Sequence, residues 1–477
     1  MTALARAVAP VAAVPRVWPA RAMLAVILAV QTAFTLGLEN TAFQDEALYL
    51  YVGRLDDGDR LAYHATYFSG TPRLYPALAA WVDGWAGLEG ARAISLAAML
   101  GTTALLYSFT ARLFDHHAGV AAAACYAVLE STLTLGRLAT YDASSVFLLA
   151  LAAWLAVLPR RTGPLLAGPV CALAFAVKYA SALYLPVIAG LAVLAAVPRL
   201  GWPRSLLRGV LLVPPALAGG AALLVYGGVL QGFAATTLAR PRGSETPPQV
   251  LLAAGKYIGF FLLLGVLGAV HLVRGAGPDL GSRTRRAALA LLLVAAGCLA
   301  PAFQARGHTW VALHKHVGYG ALFTAPLVGL GVRRLVGRHL RNVQFGIAAW
   351  IGLFVIGTTQ ARAVFDDWPD STTLIRLLEA ETRPGERYLA SVPQIPIYYL
   401  GRDRTSEGQW ASTYNFKRPA AIGEAEYDMI ILDSGIATEV NAVIERELAR
   451  SPDYRFRVRL RYDRGHLHGQ YVIWVRR

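Results

Sequence analysis

The sequence predicts a mainly α-helical membrane protein. It is expected to have about eleven spans, a large first outer loop and a C-terminal soluble α/β or α+β domain. Three observations carry this. Of 477 residues 56% are hydrophobic, and only 16% are charged, against about 25% in an ordinary soluble domain. Mean hydropathy is +0.44. Apolar runs near the length of a bilayer crossing, roughly 20 residues, recur along most of the chain.

The first run covers about 22–38. It has no small-residue cleavage site and more apolar runs follow, so it reads as an anchor. Further spans are read near 91–111, 118–136, 143–159, 164–181, 182–198, 206–230, 250–273, 287–304, 317–332 and 343–363. The stretch 164–198 is divided in two because it holds Lys178 and Pro186 and is too long for one crossing. No internal repeat is visible, unlike the duplicated halves of many secondary transporters.

The formal net charge is +15. A charge of that size raises nucleic acid as a partner, but its location excludes it. From Val364 onward there are 16 basic and 17 acidic residues; the preceding part carries 29 basic and 13 acidic. The excess therefore sits between apolar runs. With the N-terminus inside, 17 arginines fall in short inner loops, among them Arg160, Arg161, Arg208, Arg285, Arg286, Arg333 and Arg334. Eleven spans then place the tail outside.

That organisation gives two domains, a membrane domain over 1–363 and an extracytoplasmic soluble domain over 364–477. In the tail, Ser371–Thr382 and Glu439–Arg450 have helical periodicity. Strands are expected at Arg387–Val392, Pro396–Leu400, Tyr427–Leu432, Arg455–Arg461 and Gln470–Val475. No nucleotide or metal motif appears there. The three cysteines, Cys125, Cys171 and Cys298, lie in apolar runs without CxxC spacing and read as buried hydrophobes.

Candidate chemistry gathers at outer span ends. Asp45 and Glu46 follow the first span. Adjacent carboxylates at a membrane exit are wet, paired or functional. Either serves as a general base toward a hydroxyl, or both are interfacial residues, with Asp45 capping the next helix. The same loop holds Tyr63, Tyr67 and Tyr75 among Gly and Pro, which fits an interfacial aromatic belt or a lid over a sugar. Arg137 and Asp142 flank a short outer turn and read either as a pair or as part of one cavity with the first loop. Lys178 near an outer end either snorkels or holds a lipid phosphate. His314-Lys315-His316 reads as a phosphate-binding rim, an interfacial cluster or, with more ligands, a metal site; a divalent metal is possible and no cofactor is assigned. Glu130 lies inside an apolar run, where it is a proton or cation site or, as we favour, the partner of a neighbouring group.

Taken in order, these segments resemble the GT-C superfamily of polyprenyl-phosphate-sugar-dependent glycosyltransferases. The branch most alike holds protein O-mannosyltransferases and the aminoarabinose transferase of lipid A. The residues that carry it are Asp45-Glu46-Ala47-Leu48-Tyr49, Tyr67-Phe68-Ser69-Gly70-Thr71-Pro72, Leu74-Tyr75-Pro76, Ala91-Arg92 with Ser95, then Arg137, Asp142 and Lys178. Three features depart: a single proline after Thr71, a wider Arg137–Asp142 spacing, and histidines where relatives show Arg and Tyr. The resemblance implies an inverting transferase in the cell membrane with its site on the outer face. Its donor is a polyprenyl-phosphate-linked sugar and its acceptor an envelope lipid, glycan or protein hydroxyl. Asp45 would be the base, Glu46 its support and Asp142 a second carboxylate. Lys178, Arg137, His314 and His316 would bind the donor phosphate. The other class considered is a transporter or lipid flippase, whose charges belong at mid-span.

Overall fold

The structure is a computed structural model. It describes residues 17–55, 73–227, 229–239, 242–275, 281–337, 340–401, 404–413, 422, 424–436 and 438–477. Among the described residues the main helices of the membrane domain are α1 (Val17–Leu36), α2 (Gln44–Arg54), α3 (Leu74–Leu113), α4 (His116–Ala127), α5 (Glu130–Arg137), α6 (Tyr141–Ala156), α7 (Thr162–Val177), α8 (Leu185–Leu194), α9 (Val197–Tyr226), α10 (Pro247–Arg274), α11 (Arg283–Arg306), α12 (Leu313–Val336) and α13 (Val343–Phe365), with a single short turn of helix at Leu230–Phe233. The eleven apolar runs all fall on these helices or on the 3-10 segment Tyr179–Tyr184. Six helices are long and apolar enough to cross a membrane, or seven counting α4 with α5 as one bent span; α6, α7 and Tyr179–Leu194 are shorter apolar helices. The protein is a multi-pass membrane protein.

Helix breaks shape the domain. α3 runs 40 residues but turns at Gly87, whose φ of 66° a side chain would disfavour. Its first part belongs to the loop region and pairs with α2. α4 and α5 meet at 65° across Val128-Leu129, with neither proline nor glycine at the bend. α12 is the centre of the bundle, buried at every residue from Val317 to Val332. It reaches α10 through small residues: a Cβ on Gly268 would stand 1.8 Å from the Leu327 carbonyl oxygen, and one on Gly331 2.2 Å from that of Leu264. Close approach of small residues is how helices gain packing where lipid supplies no hydrophobic drive.

Arg208 of α9 ties the bundle at the end away from Asp45. It is buried and donates to the carbonyls of Ala192, Pro159, Arg160, Ala156 and Leu158. These include orphan carbonyls at the end of α6, which a cation suits. Arg208→Met should lower stability by about 3 kcal/mol or more, since charged hydrogen bonds are each worth about 1.5–3 kcal/mol. A thermal melt in detergent checks it.

The C-terminal domain comprises α14 (Thr372–Glu381), β1 (Tyr388–Ala390), α15 (Gln394–Leu400), β2 (Trp410–Ser412), β3 (Met429–Asp433), α16 (Thr438–Arg450), β4 (Tyr454–Arg464) and β5 (Leu467–Arg476). The sheet order is β2-β1-β3-β5-β4. β1 lies parallel to β2 and β3; β5 is antiparallel to β3 and β4. Pro396–Leu400 is helical rather than a strand. A short apolar run does not show its period, and Pro396 sits in the first turn, where its missing N–H costs nothing. Cys298 also departs from expectation: Cys125 and Cys171 are buried but Cys298 is exposed. In a membrane protein an apolar run faces lipid as readily as core.

This domain grips the loop that carries Asp45. The Asn40 carboxamide donates to the carbonyls of Phe365 and Trp368, at 2.8 and 3.0 Å. The Trp368 indole donates to Thr41 O, and the Ser371 amide to Thr41 Oγ1. The Ala42 amide donates to the Tyr399 hydroxyl at 3.0 Å. Burial pushes that hydroxyl's pKa up, so it stays protonated. Tyr49, Leu50, Tyr75 and Tyr141 share one core with Ile397, Tyr398 and Ile473.

Candidate active site

Asp45 and Glu46 both lie in the first turn of α2, where the helix dipole favours carboxylates. Neighbours on a helix point about 100° apart, so the two diverge. Glu46 turns inward and is fully buried. Its Oε1 accepts from Arg92 Nε at 2.9 Å and from the Ala139 amide at 2.7 Å; its Oε2 accepts from Arg92 NH2 at 2.8 Å and the Phe43 amide at 2.9 Å. Four donors leave this carboxylate nothing to offer a substrate. Arg92 also donates to the carbonyls of Asn40 and Thr41 and to Glu89.

Asp45 turns outward. Its side chain keeps 31% of its exposure, and Oδ2 pairs with Lys315 Nζ at 2.7 Å. Lys315 is itself buried and lies 5.2 Å over the Phe43 ring. A second pair stands beside the first. Lys178, at the extended residue that ends α7, is ion-paired with the buried Asp142 in the first turn of α6. Asp142 also accepts from the Tyr319 hydroxyl at 3.2 Å. Lys178 lies over the rings of Tyr141 and Tyr319, at 5.1 and 5.6 Å. Lys315 is within electrostatic reach of Asp142 and Lys178, so the two pairs form one cluster.

The first turn of α12 organises that cluster. Its three consecutive polar residues fan out to different helices. His314 Nδ1 is 3.0 Å from Glu130 Oε1 on α5, Lys315 reaches α2, and His316 Nε2 is 3.0 Å from Lys178 Nζ. His316 Nδ1 is 2.5 Å from the Gln304 carboxamide nitrogen, while the Gln304 oxygen is buried without a partner. Turning that amide over gives the imidazole a consistent pattern: Nδ1–H donates to the Gln304 oxygen, and Nε2 accepts from the Lys178 ammonium.

Asp45, Asp142, Lys178 and His316 are thus brought together. Arg137 is not beside Asp142. It pairs with Glu89 and donates to Leu38 O at 2.6 Å, behind the cluster. His314 serves Glu130, which has the neighbouring-helix partner favoured for it. Tyr75 is buried and shares a 3.1 Å hydrogen bond with Ser95. Tyr63 and Tyr67 lie outside the described residues. Among the described residues no group of three or more His, Cys, Asp or Glu is placed to hold a metal ion.

The family model for dolichyl-phosphate-mannose-protein mannosyltransferase matches residues 82–218. That stretch carries Glu89, Arg92, Arg137, Asp142 and Lys178. No curated protein matches the sequence significantly. Several solved structures are similar, three of them as follows. ArnT from Cupriavidus metallidurans, bound to undecaprenyl phosphate, aligns over 96% of this chain and 98% of its own at 13% identity, with a TM-score of 0.57. The apo oligosaccharyltransferase of Archaeoglobus fulgidus aligns over 90% of this chain and 71% of its own at 12% identity, with a TM-score of 0.55. The mycobacterial arabinofuranosyltransferase AftD aligns over 97% of this chain but 42% of its own at 15% identity, with a TM-score of 0.52. This chain shares the fold of these three structures.

Within that shared fold, the sequence does not single out Lys315 as a site residue. It stands between two histidines that draw attention to metal and rim readings, and its partner lies 270 positions away. Glu89 and Gln304 were also missed, because each becomes meaningful only through a contact across helices. Arg92 was noticed only as part of a motif; its burial shows its weight.

Proposed function

We propose that this protein is a membrane glycosyltransferase that moves a sugar from a polyprenyl-phosphate donor to a hydroxyl of an envelope acceptor. The reaction takes place on the extracytoplasmic face of the cell membrane, with inversion at the anomeric carbon. The observation that carries the reading is the pair of lysine–carboxylate couples on a GT-C fold, Asp45–Lys315 beside Asp142–Lys178. The undecaprenyl phosphate bound to ArnT adds support for the donor class.

Each residue then has a role set by its surroundings. Asp45 is the base, because it is partly exposed while the four oxygen contacts of Glu46 are all taken. The acceptor oxygen attacks the anomeric carbon and its proton passes to Asp45. The bond from that carbon to the phosphate oxygen breaks, and the polyprenyl phosphate leaves with the electron pair. Lys178 and Lys315 face that growing negative charge, held where they are rather than recruited. His316 keeps Lys178 aimed and Asp142 balances it while the phosphate is absent. Glu46, Arg92, Glu89 and Arg137 hold α2 in register.

Label transfer tests this. Purified protein is incubated with a panel of radiolabelled polyprenyl-phosphate sugars and an envelope lipid and glycan extract. Transfer from at least one donor is expected; none from any, with the protein still folded, would contradict the reading. The double variant Lys178→Met/Asp142→Asn removes the inner couple without leaving a buried charge alone. It should raise the KM for donor roughly ten-fold or more, the size of one charge-assisted phosphate contact.

A further inference from the structure

A cavity of about 120 Å³ lies between the Asp45-side ends of α1, α5 and α13, apart from the lysine–carboxylate cluster. Phe34, Leu38, Leu133 and Ala361 give it apolar walls. Apolar walls that open on the lipid side accept hydrocarbon. Its mouth opens on the outside of the bundle, where Ala33 and Arg362 are exposed. Only 11% of the spanning window of α1 is buried, so this side faces lipid.

Arg362 stands in the last turn of α13, at the level where the helix leaves the apolar layer. Its side chain makes no hydrogen bond or ion pair among the described residues. The nearest carboxylate along the helix, Asp366, is held by Arg464 at 3.1 Å. Thr358, one turn deeper, spends its proton on Phe354 O and keeps its lone pairs. A guanidinium above an apolar-walled slot is complementary to a phosphate above an acyl chain.

We propose that this cavity is a binding site for an anionic glycerophospholipid, with the phosphate on Arg362 and one chain against Phe34 and Leu133. The site differs from the donor site in kind: one arginine, no histidine and no paired carboxylate. It also backs the catalytic helix. Leu38, a wall of the cavity, is the residue whose carbonyl receives Arg137, and Arg137 leads through Glu89 to Arg92 and Glu46.

Native mass spectrometry of the whole protein, delipidated and then titrated with phosphatidylglycerol, phosphatidylcholine or undecaprenyl phosphate, tests the site. Wild type should retain one phosphatidylglycerol in preference to the other two. Arg362→Gln should cut that retention about five-fold, the contribution of one cation at a membrane surface. Ala33→Phe, at the exposed mouth, should remove the bound lipid by filling the slot. Arg306→Gln, an exposed arginine at the end of α11, should change nothing. Equal retention by wild type and Arg362→Gln, an unchanged stoichiometry in Ala33→Phe, or a preference for undecaprenyl phosphate would each overturn the proposal. Elution profiles of the variants separate lost binding from lost folding.

Discussion

Asp45→Asn should lower the transfer rate by a factor of about 10² to 10⁴, the range a positioned base supplies. Donor binding should stay close to wild type, because Asn still offers an oxygen to Lys315. Folding should be untouched, since Asp45 is partly exposed and contacts one side chain at 2.7 Å. Glu46→Gln should behave in the opposite way. It removes charge from a carboxylate whose four hydrogen bonds are internal, so it costs stability first and activity through it. Steady-state rates alongside melting temperatures distinguish the two. An Asp45→Asn protein with wild-type turnover would show that the proton goes elsewhere.

Arg92→Met should cost about 3–5 kcal/mol, the penalty for leaving a buried partner charge alone. Arg92 is 1% exposed and holds Glu46, Glu89 and the carbonyls of Asn40 and Thr41 at once. The loop bearing Asp45 therefore loses its anchor to α3, while its ties to the C-terminal domain, to Lys315 and to the Ala139 amide remain. The double variant Arg92→Met/Glu46→Gln should recover part of the loss, and the cycle isolates the coupling between the two. A melting temperature for Arg92→Met equal to wild type would contradict this account of the anchor.

The spans were legible because a bilayer imposes length and apolarity on each segment. Asp45, Asp142 and Lys178 were legible for the related reason that charges at span ends are costly without a purpose. The bend at Val128-Leu129 was not, since it needs no breaker residue: α13 packs so tightly there that a Cβ on Gly357 would meet Val128 O at 1.9 Å. The real partner of Arg137 was equally hidden, because Asp142 is five residues away in the chain and Glu89 is 48. In the tail the long strands and both longer helices were readable from periodicity. β2 has three residues and gains its place only by pairing with β1, and α15 shows an apolar run too short to reveal its period.

Affinity for undecaprenyl phosphate, measured in nanodiscs for wild type and for Lys315→Met combined with Lys178→Met/Asp142→Asn, tests the central claim most directly. If the phosphate lies between the two lysines, the triple variant should bind at least about 100-fold more weakly, and the salt dependence seen in wild type should flatten. Unchanged affinity in a folded triple variant would place the phosphate away from this cluster and contradict the assignment of the site.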